Sequence, residues 1–513
     1  MIIIKSNKMK IMTEKNVKKV ACSRSKYFYS KKGSALAYAL IMMAVVAVIL
    51  TSLLQYITSQ LKFSIYKKDR EQAFQVAESG LYFYRWYLAH QVSGRTVQQI
   101  KDFWNSGTAY GIEEPYEAEF FDPEGGAIGK YRIEVQKPDA HSTILMVKST
   151  GWTYKEPDAK RVVQARFRRS SWSEYAVVAN DIMRFGENTH VYGKIHSNGG
   201  IRFDGIAHNI VSSSLDSYDD PDHNGNVEFG VHTHVSPPPQ TSVGNSFVSA
   251  EAPPSTVPIR SDIFLAGRKF PMPTVDFNGI VSDLNYMKTE AQTPGHGIYY
   301  GNNKCGNRTN LGRHIIINGD RMTVSTVTGY NNANYSITRE DCILNNVPIQ
   351  GDSLVFVENN LWLEGKINNR RISFVAANLV GGAKASVFLG MDNLLYTNFD
   401  GKDIIGIIAQ QDIEIIKNSL DNLTIDAALM AQSGRVGRGK YTPMFCNSQA
   451  CEDHKGTITI NGSMATDLRY GFAYTNGTGY DTRILNFDNN LLYYPPPYFP
   501  TGTEYVIDLW DEL

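Results

Sequence analysis

Proline and glycine are missing from Ser34 to Ser79, although the 513-residue chain holds 42 Gly and 20 Pro, so nothing in that stretch interrupts a helix. Cysteine is scarce: of five, Cys22 lies in the basic N-terminal stretch, and the other four allow at most two disulfides. Charge is short as well. Charged residues make up 20 % against 42 % apolar, too little charge and too much apolar surface for a disordered polymer. Net charge is absent overall, 51 basic against 51 acidic residues, but the two signs are segregated. Ten Lys and Arg lie in residues 1–33 beside a single acid, Glu14, which leaves 41 basic and 50 acidic residues beyond Gly33. A body with a formal charge of −9 excludes a basic nucleic-acid-binding surface. Catalytic signatures are wanting too: the chain has no nucleophile elbow, no HExxH and no triad order, and His232-Thr-His234 is the one close histidine pair.

What is present begins with ALAYALIMMAVVAVILTSLL, Ala35–Leu54, twenty uncharged residues that as a helix span roughly the 30 Å hydrocarbon layer. The basic excess before it and the mixed KKDRE after it predict a cytoplasmic N-terminus with the bulk outside. A cleavable secretory signal fits poorly, because the run is too long and no small-x-small site follows. The helical pattern instead continues: Phe74, Ala77, Leu81, Tyr84 and Leu88 share one face, predicting one helix from about Ser34 to Ala89, on the order of 80 Å long.

Lys31-Lys32-Gly33-Ser34 ahead of this run resembles a type IV prepilin leader, and the segment through Ala77-Glu78-Ser79-Gly80 is similar to the N-terminal region of PilX-like minor pilins. The resemblance covers residues 33–90. It implies cleavage after Gly33 by a prepilin peptidase in the inner membrane, Ser34 as the mature N-terminus, and association with other pilins or pseudopilins through the helix, with Tyr38 and Glu78 in it. Major pilins usually carry Glu at the fifth mature position. Tyr38 stands there, which points to a minor or capping component rather than the bulk subunit.

The fold class expected is α+β. It comprises a basic leader over 1–33, a transmembrane and extended helix over 34–95, a small pilin-like α+β unit over 96–170, a β-rich segment over 171–312 and a solenoid-like domain over 313–513. The small unit has a helix, VQQIKDFW, and strands at Tyr131–Lys137, Thr143–Ser149 and Arg161–Arg168. Residues 207–257, rich in Pro, Asp and Asn, read as a surface insertion. Beyond Arg313, apolar runs of three to five residues recur at tight spacing, among them Leu354–Val357, Ile372–Ala376, Val387–Leu389 and Ile405–Ile408. Runs that short suggest stacked rungs, a right-handed parallel β-helix, with a β-sandwich as the alternative.

Among candidate sites, Cys446 and Cys451 suit a local staple, which leaves Cys305 with Cys342; the other pairings stay open. Asp220, Asp222, Asn224 and Glu228 reproduce the oxygen donors of half a calcium loop, although Val231 stands where a bidentate Glu belongs. Gly434–Lys440 has the Gly and Lys spacing of a phosphate loop, but Tyr441 replaces the Ser/Thr and Pro443 interrupts the helix. Glu358, Glu364, Asp403, Asp412 and Glu414 are the acids a polysaccharide-cleaving groove would need. The reading these features favour is a non-enzymatic minor-pilin-like protein of the bacterial cell envelope without an obligatory cofactor. The alternatives are a surface adhesin binding glycans or cells and, further off, a β-helical glycan lyase or hydrolase.

Overall fold

A computed structural model describes residues 34–138, 142–277, 283–441, 453–475 and 477–513. Two compact units divide at Asp69, Met1–Asp69 and Arg70–Leu513. The first contributes helix α1, which runs from Ser34 to Gln91 and so continues into the second. Residues 34–68 are exposed throughout.

In the second unit the remainder of α1 buries Ala73, Val76, Ala77, Leu81, Tyr84 and Leu88, the expected face with Phe74 at its border. The helix packs on an antiparallel sheet of β1 (Tyr116–Phe121), β2 (Ala127–Gln136), β3 (Ile144–Thr153) and β4 (Arg161–Ser171). Strict alternation in β2 and β3 puts Tyr131, Ile133, Leu145 and Val147 under the helix while their neighbours face outward. A short helix, α2 (Val97–Asn105), follows α1. Thr96 caps it, accepting the Gln99 amide while the Gln99 side chain accepts the Thr96 amide. Thr96→Ala removes the hydroxyl that accepts the Gln99 amide while leaving the backbone donor at position 96, and chemical denaturation is expected to show a loss of about 1 kcal/mol.

The fifth strand of this sheet comes from the far end of the chain. Thr501–Glu512 pairs antiparallel with β4, Ile507 opposite Phe167 and Trp510 opposite Ala165. Arg166 donates to Asp508 at 2.9 and 3.2 Å across this pair. The boundaries expected from sequence are therefore corrected in one respect: the small unit is not confined to 96–170, and the last strand of 313–513 belongs to it. Everything from Trp172 to Pro500 is inserted between two adjacent strands.

Most of the inserted region is parallel strands stacked coil on coil, the pairing of a solenoid rather than of a sandwich, while Gly312–Gly319, Arg321–Tyr330 and Ile337–Pro348 pair antiparallel. One column in register reads Ile298, Val355, Phe374, Ile407, Leu429, Met464, Val177, Ile195 and Val211. The chain order is broken within it. Residues 177–213 do not begin the stack but continue it from the coil at 463–466. The chain therefore enters mid-stack, builds outward to Arg268–Lys269, and crosses by way of α3 (Asp283–Gln292) to the opposite end. It then returns from Gly297 to the point of entry.

The sheet bearing that column is apolar on both faces. Phe356, Val375, Ile408, Met430 and Ala465 point away from the central core, toward Leu284 and Met287 of α3 and Phe499 of the C-terminal segment. Burial on both faces explains the uninterrupted apolar runs in the sequence. Cys305 and Cys342 form a disulfide.

Candidate assembly helix and buried histidine-carboxylate cluster

Among residues 34–68 the apolar side chains are uncovered all round the helix; Leu36 and Tyr38 are each 70 % exposed. Three hydroxyls in this stretch turn inward to the helix itself, those of Thr51, Ser52 and Thr58: Ser52 donates to the Val48 carbonyl at 2.8 Å and Thr58 to that of Leu54 at 2.9 Å. Such back-bonding satisfies polar groups without an outside partner, the condition a helix meets in hydrocarbon. Ser34 is the first residue of α1. Gly33, Cys22, Cys446 and Cys451 lie outside the described residues.

Glu78 is half-buried on α1. The small residues around it set the distance between helix and sheet. A Cβ at Gly80 would stand 2.3 Å from the Ser149 hydroxyl, and one at Gly151 would stand 2.3 Å from the Ala77 amide nitrogen.

The segment 207–257, expected as a surface insertion, is more structured than that. It contributes strands to the stack at Ile206–Ala207, Val211–Ser213 and Val231–His232, and a hairpin pairs Ser217–Tyr218 with Glu228–Phe229. The turn between Tyr218 and Glu228 carries Asp220 and His223 back over the hairpin. The strand at Val231–His232 lies beside Ile201–Phe203 and brings His232 and His234 to the same place.

The result is a closed cluster. Asp220, Glu228, His232 and His234 are all buried, and one potential ligand atom from each lies within 4.8 Å of the others. His234 Nε2 is 3.0 Å from Glu228 Oε1, and His232 Nε2 is 3.1 Å from Glu228 Oε2. His223 Nε2 is 2.9 Å from the same Oε2. Val248 donates its amide to Glu228 at 3.2 Å, and Asp204 accepts the His234 amide at 2.8 Å and the Arg202 Nε–H at 2.7 Å.

Burial raises the Glu228 pKa, but the His234 and His232 imidazoles and the Val248 amide outweigh it and leave the group below the ordinary carboxylate range. Burial also opposes ionisation of Asp220, yet His232, the Asp222 amide and Arg202 hold it well below that range.

The calcium set expected from sequence is therefore split. Asp220 and Glu228 meet, whereas Asp222 faces Arg469 at 2.6 Å and Arg184 at 3.2 Å, and Asn224 is exposed. His223, His232 and His234 surround Glu228 instead, and the His-x-His pair in the sequence marked two of them.

The other candidate acids are dispersed and engaged. Glu358 accepts from Tyr299 at 2.9 Å and from the Leu379 amide at 2.8 Å. Asp403 caps Thr397 and Asn398 at 2.9 and 2.8 Å. Asp412 accepts the Arg435 amide at 2.8 Å. Glu414 holds the Tyr441 hydroxyl at 2.7 Å, and Glu364 lies 3.4 Å from His314. Within the phosphate-loop-like stretch, Val436–Arg438 is a strand of the stack, and among the described residues through Tyr441 no helix begins after Gly434. A cleft of about 700 Å³ beside the cluster displays Arg184, Arg435, Arg469 and Arg483. All four guanidiniums already have partners.

A helix that exposes apolar side chains over a membrane-spanning length, and further along packs on a small antiparallel sheet, defines a membrane-anchored envelope protein of pilin type. Residues 32–81 match the model of the PilX N-terminal family, so the N-terminal region is pilin-like. Among solved structures, the competence-associated pilin ComZ from Thermus thermophilus aligns over 87 % of this chain and 98 % of its own, at 13 % identity and a TM-score of 0.31. No curated protein matches the chain.

Proposed function

We propose that this protein is a PilX-type minor component of a type IV pilus or pseudopilus system, cut after Gly33 by prepilin peptidase and assembled with other pilins through α1. The observation that carries the reading is the match of residues 32–81 to the PilX N-terminal family on a stretch whose apolar window has no buried residues. A helix apolar all round packs equally well against lipid and against neighbouring helices. The same segment can therefore rest in the inner membrane before processing and in a filament bundle afterwards.

Tyr38 in place of a carboxylate spares the helix the cost of a charge in hydrocarbon, and it also removes a charge that could pair with a neighbour's N-terminal amine. That suits a subunit present in few copies. The role is structural, and the solenoid is the cargo carried outward.

Mass spectrometry of the cellular protein tests the reading. The expected mature N-terminus is Ser34, and Gly33→Trp is expected to leave the full leader attached. Recovery of wild-type protein retaining residues 1–33 in cells with an active prepilin peptidase overturns it.

A further inference from the structure

We propose that the buried set Asp220, Glu228, His232 and His234 binds one divalent first-row transition cation of the zinc class, fixing the 217–229 hairpin to the solenoid. Nothing in the pilus reading requires this site. It rests on the geometry of a different part of the chain.

Asp204, Asp220 and Glu228 bring three carboxylates together with side chains 0–3 % exposed, and Arg202 is the one guanidinium among them. Its Nε–H is committed to Asp204 at 2.7 Å, and its Nη1 stands 3.7 Å from Asp220 Oδ2, beyond a hydrogen bond. Buried carboxylates in excess of their counterions are costly, and a divalent cation restores the balance.

His232 Nδ1 lies 3.2 Å from the Phe229 carbonyl, which can only accept, so that nitrogen carries the hydrogen. In the neutral form that a metal ligand requires, Nε2 would turn its lone pair to Glu228 Oε2 at 3.1 Å and Asp220 Oδ2 at 3.6 Å. In that tautomer the ring brings no hydrogen between Nε2 and the two carboxylate oxygens, of which Glu228 Oε2 also lies 2.9 Å from His223 Nε2. Asp220 Oδ2 and His232 Nε2 are both buried without a hydrogen-bond partner. A cation among them satisfies all three at once. A ring N–H given to a backbone carbonyl is also how proteins orient a metal-binding imidazole.

Ligand chemistry selects the ion. Two imidazole nitrogens with carboxylate oxygens suit zinc and its neighbours, with bonds of about 2.0–2.2 Å. Calcium takes oxygen ligands at longer range, and the oxygen donors at Asp222 and Asn224 do not reach this place. His223, at 2.9 Å from Glu228 Oε2, and Asp204, which accepts the His234 amide, stand as positioning residues around the set.

The test uses the full chain purified in detergent, stripped with EDTA and titrated with Zn²⁺, Ca²⁺ and, for its visible spectrum, Co²⁺. The expected result is one Zn²⁺ per chain, Co²⁺ bands characteristic of nitrogen ligation, and no response to Ca²⁺ at the same concentrations. His232→Gln is expected to weaken Zn²⁺ more than about 100-fold, beyond the 10–100-fold that outer positioning residues cost, whereas Asn224→Ala leaves it unchanged. Should His232→Gln fail to fold, wild-type stoichiometry and the Co²⁺ spectrum decide alone. Stripped, folded protein that takes up neither Zn²⁺ nor Co²⁺ overturns the proposal, because protonated imidazoles are then the counterions. Calcium binding in preference to zinc, or zinc binding undiminished in folded His232→Gln, overturns it equally.

Discussion

A chain ending at Pro500 is expected to lose the helix-on-sheet unit while keeping the solenoid. Thr501–Glu512 contributes Tyr505, 6 % exposed, to the core beside Trp104, with ring centroids 6.1 Å apart. Ile507 packs at the border of the same core, and Trp510 meets Phe74 edge-on at 5.8 Å. Removing this apolar burial costs about 3–5 kcal/mol, at roughly 1.5–3 kcal/mol per large side chain. The loss is comparable to the lower end of whole-domain stabilities, about 5–15 kcal/mol.

Polar losses act in the same direction. Arg166 and Arg168 lose Asp508, at 2.9 and 3.4 Å, and β4 becomes an unpaired edge. Amide hydrogen exchange checks the expectation: protection collapses in β2, β3 and β4 but holds for residues 353–376 and 404–431. Unchanged protection in β4 would show that the C-terminal strand does not complete the sheet.

This topology has a consequence for function. Ser171 pairs with Thr501, so the solenoid leaves and rejoins the sheet at one place, between neighbouring strands. The core of α1 and β1–β4 stays whole around an insertion of more than three hundred residues. A pilin-type base can therefore carry a large cargo with its own helix-sheet packing intact, provided the last strand returns. Truncation from the C-terminus is accordingly harmful far out of proportion to the length removed.

Legibility in the sequence followed what side chains report. Short apolar runs marked the stacked strands closely, Val387–Leu389 to the residue and Ile372–Ala376 within one, because burial on both faces leaves a continuous apolar signature. The face of α1 was readable from three-and-four spacing for the same reason. The order of the coils was not. Met464 lies beside Val177 through backbone hydrogen bonds, which carry no side-chain identity, and apolar columns accept any apolar neighbour.

Two other features were hidden by their surroundings. Thr501–Glu512 carries four acidic residues, Glu504, Asp508, Asp511 and Glu512, which disguise a strand whose core contribution is chiefly Tyr505 and Ile507. Asp220 and Glu228 stood in a calcium-like pattern, but the hairpin between them points the donors toward His232 and His234. Only the fold supplies that direction.

The closest approach of α1 to the sheet yields the other large effect, at Gly151 on β3. A Cβ there would lie 2.3 Å from the Ala77 nitrogen, 2.4 Å from the Ala73 carbonyl oxygen and 2.8 Å from the Ala77 Cα, all backbone atoms of the helix. Backbone cannot swing aside as a flexible side chain does, so the helix must lift from β3 and open the packing of Val76, Leu81 and Tyr84 behind it. Gly151→Val is expected to cost about 3 kcal/mol, the top of the ordinary overpacking range, and Gly151→Ala about 1–2 kcal/mol.

Gly351→Ala serves as the control, since a Cβ there meets nothing within 4 Å. Chemical denaturation of the three variants, followed by tryptophan fluorescence from Trp104 and by protease sensitivity of β2–β3, measures the difference. Equal stability of Gly151→Val and Gly351→Ala would mean that the helix does not rest on β3 at this spacing. The small residues of the Ala77–Gly80 stretch would then need another explanation than contact with Ser149 and Gly151. If the expected ranking holds, that stretch of the PilX-like segment acts as a spacer: it sets how closely the helix that enters the membrane is fastened to the sheet that carries the cargo.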